Sequence, residues 1–269
     1  MIGVPIAARR TIRHAGCSAL LALLGCSAGS KSYLPHDNTL RREPLFFYPA
    51  QSNAPKAFVL FIGNDIGFWK PHEELATRLS RAGYAVVGLD IKKYLAKLPA
   101  EEPARDSSFS VNIASLIARA RSEVGADSVP AIVGGHSFGA EVAFWIALHR
   151  PPAHLAGVLA MSPRSTGHLV VTPLDLLNKE ASGPWSFSTI RASAELPPHV
   201  RIAIVRGASD PFRKHDSLFA VAGGARFHYY PVPFAGHSLR RLIIAGPIVE
   251  HAVNWLLSTE RTATVDASR

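Results

Sequence analysis

Short apolar runs alternate along most of the chain with longer stretches in which apolar residues recur every third or fourth position. The runs at 45–48, 57–62, 84–89, 129–133, 155–161, 201–205 and 226–231 have strand length. Those at 57–62 and 84–89 show no polar alternation, as strands buried on both faces do. Helical spacing marks 72–81, 108–124 (Val111, Ile113, Leu116, Ile117), 142–150, 216–222 and 239–257. Pro247 should kink or split the last of these, since proline lacks an N–H and clashes with the preceding turn. Strands alternating with helices predict a mostly parallel sheet covered on both faces, with ligands at the carboxyl ends of the strands. Only 162–198, which holds His168, Asp175, Trp185 and Phe187, interrupts the alternation, and a loop this long usually has a function.

A chain of 269 residues that is 48% hydrophobic can bury one substantial core, so a single domain over 44–260 is expected, followed by a tail at 261–269. Residues 1–14 carry Arg9, Arg10 and Arg13 and no acid, and 15–24 is apolar but too short to span a bilayer. Leu23-Leu24-Gly25-Cys26 then resembles a lipobox. This predicts a signal peptide over 1–25, a lipid-anchoring Cys26 and a polar tether over 26–43. The alternative is an ordinary cleavage site that leaves a soluble exported protein. Ser27 after Cys26 favours the outer membrane, so the expected location is periplasmic and lipid-anchored. Cys17 leaves with the signal and no cysteine follows Cys26, so no disulfide can form. The net charge of +9, or +6 once the three signal arginines are removed, favours anionic partners such as a membrane surface. Nucleic acid is excluded as a partner, because no basic run is interleaved with aromatics and no zinc spacing occurs.

The chemistry centres on Gly134-Gly135-His136-Ser137-Phe138-Gly139-Ala140-Glu141, which lies between a strand and a helix. That order predicts a nucleophile elbow, with Ser137 in a strained turn and Gly135 and Gly139 small because strand and helix approach closely there. A serine hydroxyl needs an imidazole to take its proton and a carboxylate to orient the imidazole. Asp210 ends the turn after the strand at 201–205, and His237 follows the last strand, so these two are the expected partners. Asp216 is the weaker candidate for the acid, being placed to start a helix. The predicted fold is therefore an α/β hydrolase, with 162–198 as its cap. The Phe138 N–H and that of Asn64 or Asp65 are the expected oxyanion donors. Asp90, Trp69 and Trp185 are the candidates for substrate contact, with the start of a turn as the equal alternative for Asp90. Glu141 reads as a charge that offsets the helix dipole, with substrate contact as its alternative. His136, His149, His154 and His228 read as structural. No metal or other cofactor is implied, because the His and Asp residues lack ligand spacing.

Gly67-Phe68, Val87-Gly88-Leu89-Asp90 with Tyr94, and 135–142 together resemble the VirJ/AcvB family of exported bacterial α/β hydrolases. The resemblance runs over about 57–257, with Ser137, Asp210 and His237 at the family's triad positions. It implies hydrolysis of an aminoacyl ester on an anionic lipid, lysyl-phosphatidylglycerol, and contact with secretion-system proteins. It would also make Asp90 the acceptor of a lysyl ammonium. A general carboxylesterase or lipase, and a non-catalytic envelope adaptor on the same fold, are the competing readings.

Overall fold

Every apolar run read as a strand lies in one sheet. The computed structural model describes residues 32–177, 179–183, 185–244 and 246–258. Its strands and helices run β1 (Leu45–Tyr48), β2 (Phe58–Ile62), α1 (Lys70–Arg81), β3 (Ala85–Leu89), α2 (Ile91–Leu95), α3 (Glu102–Glu123), β4 (Ala131–His136) and α4 (Phe138–His149). Then come β5 (Leu155–Met161), β6 (Thr166–Gly167), α5 (Pro173–Leu176), β7 (Phe187–Ser188), α6 (Thr189–Glu195) and β8 (Arg201–Gly207). The chain closes with α7 (Asp216–Gly223), β9 (Phe227–Val232), α8 (Leu239–Ile244) and α9 (Ile248–Leu257).

Among the described residues the main sheet has seven strands in the order β1-β3-β2-β4-β5-β8-β9. All of its pairs are parallel except β1 with β3. Successive side chains of β2 enter opposite cores. Phe58, Leu60 and Ile62 meet Phe109, Ile113, Phe144 and Phe219 of α3, α4 and α7. Val59 and Phe61 meet Leu75, Leu79, Val249 and Val253 of α1 and α9. A strand buried on both faces has no use for polar alternation, and each fully buried side chain of this size is worth about 1.5–3 kcal/mol. The fold is that of an α/β hydrolase.

Pro247 splits the last helix as expected, standing at the N-cap of α9 after α8 has ended at Ile244. Two segments differ from the reading. Residues 33–43, expected as tether, pack on the domain: the Tyr33 N–H donates to the Phe47 carbonyl at 2.8 Å, Leu40 is buried in the core and Asp37 pairs with Arg119. Polar composition hid the two apolar anchors that hold this stretch down. The excursion after β5 has structure of its own, with β6 and β7 paired antiparallel and α6 packed against α4 and α7. Its two-residue strands are too short for any periodicity to reveal. Cys26 and the predicted signal lie outside the described residues.

Candidate active site

β4 ends at His136 and α4 begins at Phe138, so Ser137 alone makes the turn, with φ 53° and ψ −123°. A non-glycine residue with positive φ is uncommon and costs free energy. The close packing around it holds the turn in place. A Cβ at Gly135 would stand 2.4 Å from the backbone of Gly139, and one at Gly139 would stand 2.2 Å from the Gly63 carbonyl oxygen. Any larger residue at either position would push strand and helix apart.

His237 comes from the loop between β9 and α8, and Asp210 from the loop after β8. The Ala208 and Ser209 N–H groups donate to the Val232 and Ala235 carbonyls at 3.0 and 2.9 Å, which ties the two loops together. His237 Nε2 lies 2.8 Å from Ser137 Oγ, and its Nδ1 lies 3.1 Å from Asp210 Oδ2. Three side chains from separate loops thus form one hydrogen-bonded line. Asp210 Oδ1 accepts from the Phe212 N–H at 2.9 Å and faces the buried Arg206 at 3.4 Å. Burial pushes the Asp210 carboxyl up, but the His237 hydrogen bond and the Arg206 charge outweigh it and hold the group down at about 2. An ionised carboxylate behind the imidazole sets its tautomer and stabilises its charged form.

The helix start leaves the Phe138 N–H without an intrahelical acceptor. The close approach at Gly139 brings the loop after β2 against it. In that loop the Gly67 N–H donates to the Asn64 carbonyl at 2.9 Å and the Ile66 N–H to Asn64 Oδ1 at 3.2 Å, so the backbone of Asn64 and Asp65 is held beside the elbow. Asn64 and Asp65 are both buried. Burial raises the Asp65 carboxyl, with the charges of Arg164 and His237 among the opposing influences.

The other predicted positions are more varied. Asp90, read as either facing the pocket or starting a turn, takes the second role: it caps α2 by accepting from the Lys93 N–H at 3.0 Å and pairs with Lys93 Nζ at 3.3 Å. It lies buried beneath Gly67, where an added Cβ would meet its carboxylate at 3.0 Å. A strand end followed by a helix start is also a capping position, and here the cap takes the side chain. Trp69 and Trp185 are both part-exposed. Asp216 starts α7, as expected, and pairs with Arg206 at 2.7 Å. Glu141 stands in the first turn of α4, as expected, and is also a fully buried partner of Arg164, at 2.5 and 2.8 Å. Arg164 also donates to Asp175 at 2.7 Å, and Asp175 accepts from His168 at 3.0 Å, so the cap is pinned to α4.

Two histidines that carried no role in the sequence reading complete the site. His136 Nε2 is 2.7 Å from the His237 carbonyl oxygen, so it must carry the proton and donate. Its ring lies between those of His237 and His72, at centroid distances of 5.4 and 6.1 Å. Burial holds His136 well below the ordinary histidine range, with repulsion from His237 and His72 adding to it. Burial likewise lowers His72 to about 4. Both rings are neutral spacers beneath the loop that carries His237. His136 adjoins Ser137 in the chain, a position that by itself signals nothing about a contact 101 residues away. Among the described residues no group of three or more His, Cys, Asp or Glu side chains could hold a metal ion.

No protein-family model matches the sequence, and no curated protein matches it. Solved structures do resemble it. A soluble variant of monoglyceride lipase from Saccharomyces cerevisiae is 16% identical with a TM-score of 0.56, over 79% of this chain and 90% of that one. The esterase Est2 of Thermogutta terrifontis, with butyrate bound, is 15% identical with a TM-score of 0.55, over 79% and 87%. The esterase domain of a Rhodothermus marinus protein is 14% identical with a TM-score of 0.54, over 78% and 90%. The likeness reaches the α/β-hydrolase fold and stops short of the VirJ/AcvB family.

Proposed function

We propose that the protein is a serine hydrolase of ester bonds. The observation that carries this is the line from Ser137 Oγ through His237 to Asp210, with links of 2.8 and 3.1 Å. His237 Nε2 takes the Ser137 proton as Oγ attacks the ester carbonyl carbon, and the carbonyl oxygen becomes an oxyanion facing the Phe138 N–H and that of Asn64 or Asp65. Collapse breaks the ester C–O bond, and His237 returns the proton to the departing alcohol. Water then attacks the acyl-serine by the same route and releases the acid. Esterases and a lipase among the structural neighbours agree with this reaction class.

The finer reading is an aminoacyl ester of an anionic phospholipid, cleaved by a periplasmic protein anchored through Cys26. It is supported by the resemblance of 135–142 and 87–90 to the VirJ/AcvB family, by the lipobox-like run before Cys26 and by the net charge of +6 that remains without the signal arginines. Fluorophosphonate labelling tests the reaction class. An adduct on Ser137, absent in Ser137→Ala, is expected, and no adduct would leave the adaptor reading, with secretion-system proteins as partners. Lysine release from lysyl-phosphatidylglycerol tests the substrate; cleavage of short acyl esters alone would leave a general esterase. The mass of the mature protein should show lipid on Cys26.

A further inference from the structure

The rim of the site carries side chains that the fold leaves uncovered. Phe234, three residues before His237, is 93% exposed and has a φ of 58°. A bulky residue in the left-handed region is an outlier, and folding gains nothing from an aromatic ring held there in water. Ile66, on the loop with the oxyanion candidates, is 59% exposed, and Trp69 and Trp185 are 41% and 43% exposed. Single exposed apolar residues need no explanation. These four, however, stand on segments that leave the carboxyl ends of β2, β5 and β9, the edge that holds Ser137.

Cations share that edge. Lys70, Lys214, Arg240 and Arg241 are exposed, and none has a carboxylate partner among the described residues. The nearest exposed carboxylates in sequence, Glu73 and Glu74, lie one turn along α1. A bilayer is apolar just beneath a charged surface, and exposed tryptophans flanked by Lys and Arg suit that boundary. We infer that this rim docks the protein on anionic lipid. Phe234 and Ile66 enter the acyl boundary, Trp69 and Trp185 lie among the headgroups, and the four cations face the lipid charge. The inference rests on the hydrolase reading only for its purpose, which is to set Ser137 against lipid.

The test uses the full chain carrying Cys26→Ser, so that no acyl anchor contributes, with phosphatidylglycerol and phosphatidylcholine vesicles. Sedimentation should show binding to phosphatidylglycerol and little to phosphatidylcholine. Phe234→Asn, which suits the same φ, should weaken binding about tenfold, and Lys214→Gln with Arg240→Gln about 25-fold. Brominated phosphatidylglycerol should quench tryptophan emission, and Trp69→Phe with Trp185→Phe should remove most of that quenching. Equal binding to both lipids, binding indifferent to these substitutions, or quenching that survives through Trp145 and Trp255 would overturn the docking. Cleavage of a soluble short-chain ester is measured in parallel with the unsubstituted rim. Its failure would sink the hydrolase reading and leave the vesicle result intact.

Discussion

Among the described residues, two buried arginines each lie between two carboxylates, and they are spent differently. Arg206 lies between Asp210 and Asp216, and Arg164 between Glu141 and Asp175. Both are essentially inaccessible to solvent. In the first cluster Asp210 keeps one oxygen for His237, so the arginine holds charge on the carboxylate behind the imidazole that contacts Ser137. In the second, Glu141 takes both ends of the guanidinium fork and Asp175 is filled by Arg164, His168 and Thr172. That cluster leaves no oxygen to spare and serves as a staple between α4 and the cap. One arrangement can therefore tune reactivity or fasten an insertion, and the free lone pair decides which.

The sharpest way to separate the two clusters is to neutralise one carboxylate in each. Asp210→Asn should lower kcat on a short acyl ester by about 10⁴-fold with the fold intact, because His237 loses the partner that sets its tautomer. Asp175→Asn should lower it far less. Removing each arginine comes next. Arg206→Met and Arg164→Met both strand buried carboxylates and should each cost about 3–5 kcal/mol in urea unfolding. Beyond that shared cost they should diverge. Arg206→Met raises the Asp210 carboxyl from about 2 and so moves the acid limb of the pH–rate profile, whereas Arg164→Met leaves that limb in place and opens 162–198 to protease.

Smaller effects belong to the neutral rings beneath His237. The folded-state value of His72, about 4, lies below its ordinary 6.5, so the unfolded chain binds more protons between those limits. The stability it supports is complete above pH 6.5 and is lost as pH falls toward 4. Between pH 7 and pH 5 the loss should be about 2 kcal/mol, read as a drop in melting temperature that His72→Phe flattens. The least effect is expected from His136→Phe, which removes the donor to the His237 carbonyl. A loss of about tenfold in kcat at unchanged KM would mark a positioning role that the Arg164 staple does not share, and an unchanged kcat would deny it.

Much of the scaffold was legible because its signals are local. A strand buried on both faces is apolar throughout, an elbow needs small residues on either side of Ser137, and Pro247 cannot continue a helix. Ser137, Asp210 and His237 were legible for a related reason, since each follows a strand and strand ends meet at one edge of a parallel sheet. Asp90 shows the limit of that rule. It too ends a strand, yet the N-cap of α2 claimed its side chain, and the choice between cap and pocket depends on where Gly67 passes above it.

What the sequence by itself determined is the order of elements, the elbow and the three side chains brought to the sheet's edge, because periodicity and turn chemistry are properties of neighbouring residues. Only the tertiary structure decided that Arg206 and Arg164 are buried, that Glu141 is pinned to the cap by Arg164, that His136 supports the loop of His237 and that 33–43 belongs to the domain. Each of these rests on partners far apart in the chain. A charge or a ring carries no mark of which distant group will desolvate it until the sheet has folded and brought the two together.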